Sequence, residues 1–176
     1  AGAGGPGGRG KRPALKTQGL LAKFTSRDAK TDIFVSYTVG AQFRPTLFQV
    51  TDIAQYGSPE QVGETVLPRP GAASPFSPGT ATSGPSNLKL SAKKVSFRPR
   101  PTGTVAGEYT PPPKLYYTYQ FDLPAEAEAE AEGHGVKHVA LVLAASAGKV
   151  FWLAAESRAT GGRDLIAQIA DTFRVK

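Results

Sequence analysis

The run from Lys114 to Ala155 limits what this chain can fold into more than any other stretch. KLYYTYQFDL (114–123) places Leu115, Tyr117, Tyr119, Phe121 and Leu123 on one face and Tyr116, Thr118, Gln120 and Asp122 on the other. That period of two is the mark of a strand with one buried side. VKHVALVLAAS (136–146) is apolar at nearly every position, which predicts a central strand covered on both faces. KVFWLAA (149–155) follows after Ala147-Gly148 alone, and so short a link predicts a tight antiparallel hairpin. Trp152 shares its face with Val150 and Ala154, so its indole is expected in the core and not as a stacking platform.

The flanking segments complete an α+β pattern. LLAKF (20–24) and DIFVSYTV (32–39) read as strands joined by TSRDAKT, the second rich in β-branched and aromatic residues. Residues 40–57 are expected to be irregular, anchored by Phe43, Leu47, Phe48 and Ile53. Ser58-Pro59-Glu60-Gln61 then supplies a capping hydroxyl, a Pro at the first helical position and a Gln three residues after the Ser, a helix start signal. Val62, Val66 and Leu67 give that helix an apolar side, and Pro68 ends it. LKLSAKKVSF (88–97) alternates in part and reads as a strand. A last helix over about 161–174 carries the stripe Leu165, Ile166, Ile169, Ala170 and Phe173, with Asp164 and Arg174 placed to suit its dipole. The expectation is an antiparallel β-sheet flanked by helices, in one domain over 19–176. Residues 1–18 read as a flexible, Gly-rich basic arm. Loop insertions are expected at 68–87, rich in Pro, Gly, Ser and Thr, and at 124–135. The second holds AEAEAEAEG, where a helix would set Glu126 against Glu130 and Glu128 against Glu132. We therefore read it as a solvated acidic loop, since a Ca²⁺ site there would need oxygens converging from a defined turn.

Chemistry-bearing patterns are few. With no Cys, thiolate metal sites, Fe–S clusters and Cys nucleophiles are excluded. No GxSxG, Walker loop or strand-to-helix GxGxxG occurs, and the GAGGPGG start follows no strand. No Ser sits in a nucleophile elbow, so nothing nominates an enzyme. His134 and His138 lie four apart on an extended segment, about 13 Å along a strand and too far for one ion. His138 remains the one metal candidate, as partner to a single carboxylate in a surface site for Ca²⁺ or Zn²⁺, with no firmly bound cofactor expected. Charge is uneven. Residues 1–30 hold seven Lys and Arg against Asp28 alone, and the remainder is nearly balanced. Arg9, Lys11, Arg12, Lys16 and Lys23 are thus the predicted contacts to an acidic partner. Nucleic acid is a rival partner for this arm, but one Gly-Arg-Gly without interleaved aromatics supports it weakly.

Three stretches in order, DIAQYGSPEQV (52–62), KLYYTYQFDL (114–123) and VKHVALVLAASAGKVFWLAA (136–155), followed by the closing helix to DTFRV (171–175), resemble the PsbP family of extrinsic photosystem II proteins. GLLAKFTSRDAKTDIFVSYTV (19–39) is similar to the family's preceding strand pair. The resemblance covers about 19–176 apart from the insertions. It implies the Mog1/PsbP-like α-β-α sandwich and a place in the chloroplast thylakoid lumen, peripheral to the membrane. The implied job is non-catalytic: docking on the photosystem II core and its other extrinsic subunits, and helping retain Ca²⁺ and Cl⁻ at the oxygen-evolving complex. An alternative within the family is an assembly factor for photosystem I or another thylakoid complex. The Mog1 side of the likeness suggests, by fold alone, a module that binds a small GTPase. The family's metal-associated histidine matches His138, whereas its companion acid falls on Arg158-Ala159-Thr160. The Gly-rich arm stands where the family has its opening hairpin, which implies either a chain shortened at that hairpin or a smaller sheet with an open edge.

Overall fold

The computed structural model describes residues 19–42, 49–68, 73–74, 77–80, 85–96, 100–101, 108–109, 112–124 and 136–175. Arg9, Lys11, Arg12, Lys16, Phe43, Leu47, Phe48, His134 and the Glu repeat lie outside them, as do most of the two expected insertions. Among the described residues the fold is α+β, with one six-stranded antiparallel sheet, two α-helices and two single-turn 3-10 helices at Gly40–Gln42 and Ile53–Tyr56. Its strands are β1 (Gly19–Thr25), β2 (Thr31–Val39), β3 (Ser86–Val95), β4 (Lys114–Pro124), β5 (Val136–Ser146) and β6 (Lys149–Ser157). They lie in the order β1-β2-β6-β5-β4-β3. Two short ladders, Ala73–Ser74 with Ser77–Thr80 and Arg100–Pro101 with Glu108–Tyr109, stand apart from it.

The β4–β5–β6 meander forms the centre, as its pattern predicts. Ala147 and Gly148 both take positive φ, 50° and 75°, the pair a primed hairpin turn requires. The turn is pinned from outside: Gly148 N donates to Val50 O at 2.9 Å, and Gly148 O accepts from Gly40 N at 2.8 Å. Helix α1 (Pro59–Val66) begins where the capping signal lies, with the Ser58 hydroxyl accepting from Gln61 N and the Gln61 side chain accepting from Ser58 N. It packs on one face of the sheet, where Ile53, Tyr56, Val62 and Val66 close over Tyr119, Leu141, Leu143 and Trp152. Helix α2 (Gly162–Thr172) lies on β5 and β6 across the other face. There Ile166 and Ala170 cover Ala140, Val142, Leu153 and Ala155.

Strand β4 ties the three layers together. Tyr117 and Tyr119 point to the α1 face and donate their hydroxyl hydrogens to Gly57 O at 2.7 Å and Pro59 O at 2.6 Å. Tyr116 points the opposite way and accepts from Val175 N at 2.8 Å. A buried hydroxyl without such a partner would cost about 1–3 kcal/mol, so these bonds fix where each layer may sit.

Three details differ from the pattern-based expectation. The second face of β4 is not a solvent face, since Tyr116 and Asp122 are both buried, because α2 and the residues after it cover that side. Leu165 is 46% exposed. It lies one residue, about 100°, off the Ile166–Ile169–Ala170 stripe that meets the sheet. Strand β3 begins at Ser86, inside the expected 68–87 loop, and its first nine residues are all exposed.

Candidate functional site

Strand register assembles a polar row that no local motif announces. On the α2 face Asp122 stands opposite His138, His138 opposite Ser157, and Ser157 opposite Thr31, across β4, β5, β6 and β2. His138 Nδ1 lies 2.6 Å from Asp122 Oδ1. An ionised carboxylate can only accept, so Nδ1 carries the proton. Asp122 Oδ2 accepts from Asn87 Nδ2 at 2.9 Å and from Arg163 Nη2 at 2.7 Å. Arg163 comes from the first turn of α2 and Asn87 from β3, so one carboxylate joins the helix to three strands. Its side chain is only 7% exposed. Burial pushes the Asp122 carboxyl up, but the bonds from His138 and Asn87 and the charges of Arg163 and His138 outweigh that and hold it below its ordinary 3.8.

The other half of the row is closed. Ser157 is fully buried, shares a 2.9 Å hydrogen bond with Thr31 Oγ1 and accepts from Ala159 N at 3.2 Å. Gly162, at the start of α2, lies so close that a Cβ there would run into the Ser157 side chain. The succession Asp122, His138, Ser157 has the composition of a hydrolytic triad, but no substrate carbonyl can reach a hydroxyl sealed in this way.

What stays open is a small cleft of about 40 Å³ between the β3–β5 floor and the beginning of α2. Asn87, Lys89, Gln120, Asp122, His138, Arg163 and Ile166 are among the residues that line it. His138 thus gains the single carboxylate expected of it, Asp122, yet both oxygens of that carboxylate are already taken by nitrogen donors. Ca²⁺ takes about six to eight oxygen ligands, and a guanidinium on the same carboxylate repels any cation. Among the described residues no group of three His, Cys, Asp or Glu converges. Asp122 is thus committed to nitrogen donors and not placed as a second ligand, while His138 Nε2 makes no hydrogen bond among the described residues. Its neighbour Lys137 turns to the α1 face, where its ammonium pairs with Glu156 at 3.4 Å.

Of the predicted basic contacts, Lys23 lies within the described residues. It is exposed on β1, its ammonium 5.3 Å from the centroid of the Phe34 ring. Leu20, Leu21 and Phe24 are exposed on the same strand, which is an edge of the sheet. The structure does not bring Lys23 near His138; they belong to different parts of the surface, β1 being separated from β5 by β2 and β6. Sequence reasoning missed Asp122, Asn87 and Arg163. Asp122 is revealed by its pairing register with His138, and Asn87 and Arg163 by the tertiary hydrogen bonds they make to it, although an Asp in phase with Tyr116 on an otherwise buried strand was a signal. No described helix is long and apolar enough to cross a membrane. No protein-family model matches the chain and no curated protein matches it.

Proposed function

We propose that this chain is a non-catalytic docking protein of the PsbP kind, seated on the lumenal face of photosystem II and supporting Ca²⁺ and Cl⁻ retention at the oxygen-evolving complex. One observation carries the reading: the segments on which the resemblance rests are the ones that hold each other in place. The Tyr-Gly-Ser-Pro-Glu turn hangs from Tyr117 and Tyr119, and the terminal Phe-Arg-Val hangs from Tyr116. Residues so coupled have a physical reason to occur together, and this supports the Mog1/PsbP-like sandwich as the finer description of the fold. A shared fold alone does not carry function. The docking part is supported by the surface of β1, where a cation stands among three exposed apolar side chains. Such a surface suits an acidic partner with an apolar centre.

The test is association with washed thylakoids. Recombinant chain is expected to bind, to elute with concentrated NaCl, and to cross-link to photosystem II subunits. Cross-links to photosystem I would transfer the role to assembly of that complex. Recovery only in the soluble stromal fraction would overturn the docking reading altogether.

A further inference from the structure

We infer that the cleft between the β3–β5 floor and the start of α2 is a binding site for a single carboxylate group. The argument begins with its one anion. Asp122 accepts from three nitrogen donors, on Asn87, His138 and Arg163, so three of its roughly four acceptor sites are used within the fold. The groups left over are of the opposite kind. Lys89 stands opposite Gln120 in the β3–β4 register, and both line the cleft. Neither side chain makes a hydrogen bond among the described residues, and Lys89 is exposed. Among the described residues Arg163 donates to Asp122 through Nη2, which leaves its other N–H groups for a ligand. His138 Nε2 makes no hydrogen bond among the described residues and belongs to a ring already oriented by Asp122.

Lys89, Gln120 and Arg163 converge on one space beside His138, whose Nε2 is an acceptor while the proton sits on Nδ1, so the donors left over, two of them cationic, are those of Lys89, Gln120 and Arg163. A ligand that satisfies them brings oxygen acceptors and negative charge. Among the described residues that line the cleft, the charges of Lys89 and Arg163 stand against the single charge of Asp122, a balance that favours an incoming anion. Asp164, next to Arg163, is exposed and does not line the cleft. The cleft is small and opens to solvent, so a carboxylate can enter it while the rest of its molecule stays outside. Planar, two-oxygen recognition is what a guanidinium fork beside an ammonium provides. The site stands apart from the docking edge at β1, so either can fail without the other.

A nuclear magnetic resonance titration of the full chain tests it. The probes are sodium acetate, a capped Gly-Glu-Gly peptide and, as neutral control, a capped Gly-Gln-Gly peptide, all at constant ionic strength. The His138 ring and the Arg163 side chain are expected to shift saturably with the first two and not with the third. Lys89→Gln, at an exposed position, is expected to weaken binding roughly fivefold, the weight of one partly exposed charge. Lys94→Gln, on the other face of the same strand, leaves binding unchanged. Saturation by the Glu peptide alone assigns the carboxylate to an acidic side chain of a partner. Equal affinity for acetate assigns it to a free small acid. Absence of saturable shifts, equal shifts with the Gln peptide, or a Lys89→Gln variant that binds as the parent does would each overturn the inference.

Discussion

Single side chains in this molecule act as bolts between layers, and their removal should be felt at a distance. Tyr119→Phe keeps the ring in the core but leaves Pro59 O without the donor that now sits 2.6 Å away. The expected loss is about 1–2 kcal/mol, read as a lower urea midpoint at unchanged m value. Asp122 makes a pH-dependent contribution. Its carboxyl is held below 3.8 in the folded state, so the folded form favours the ionised group. That stability is fully present above the unfolded pKa and is lost as pH falls through the folded one. Asp122→Asn should therefore lower stability at neutral pH and flatten the acid limb of the stability curve, as successive urea titrations below pH 5 would show. At this scale the sequence was least informative: Asp122 looked like a solvent-facing residue because its partners lie on β3, β5 and α2, and alternation along one strand says nothing of what covers it.

Individual elements were far more legible, because the forces that define them are local. Ser58, Pro59 and Gln61 marked the start of α1 to the residue, since capping involves only neighbours. Ser58→Ala should cost about 1 kcal/mol, measured as a fall in thermal midpoint. The Ala147-Gly148 turn was equally readable from spacing. It carries a residue that dislikes its conformation, Ala147 at φ 50°, where Asn is preferred. Ala147→Asn is expected to stabilise the hairpin by roughly 0.5–1 kcal/mol, visible as a higher melting temperature in calorimetry. Strand β3 was the weaker element to read. Its exposure on nearly every residue leaves no face to impose a strict period, and so its true start at Ser86 was hidden in the Pro- and Ser-rich stretch before it.

For the molecule as a whole, the antiparallel sheet with helices on opposite faces followed from adding the elements, but strand order did not. The two-residue link fixed β5 beside β6, whereas nothing in the sequence said that β2 would close the far side of β6 or that β3 would become an outer edge. The resulting order sets a gradient of protection. Amides of β5 and β6, paired on both sides and buried, should exchange with deuterium slowest, and those of β1 and β3 fastest. Faster exchange in β6 than in β1 would show that this order is wrong.

That same order has a consequence for how the protein comes into being. Thr31 and Ser157, hydrogen-bonded neighbours in the finished sheet, are 126 positions apart, while the β4–β5–β6 meander needs only nearby partners. Closing so long a loop is slow compared with forming a hairpin. In the interval Phe151, Trp152 and Leu153 line a bare ribbon margin open to any copy of the chain close by. Yield on dilution from denaturant is accordingly expected to drop as protein concentration rises, with chaperone assistance mattering most before the amino-terminal hairpin arrives.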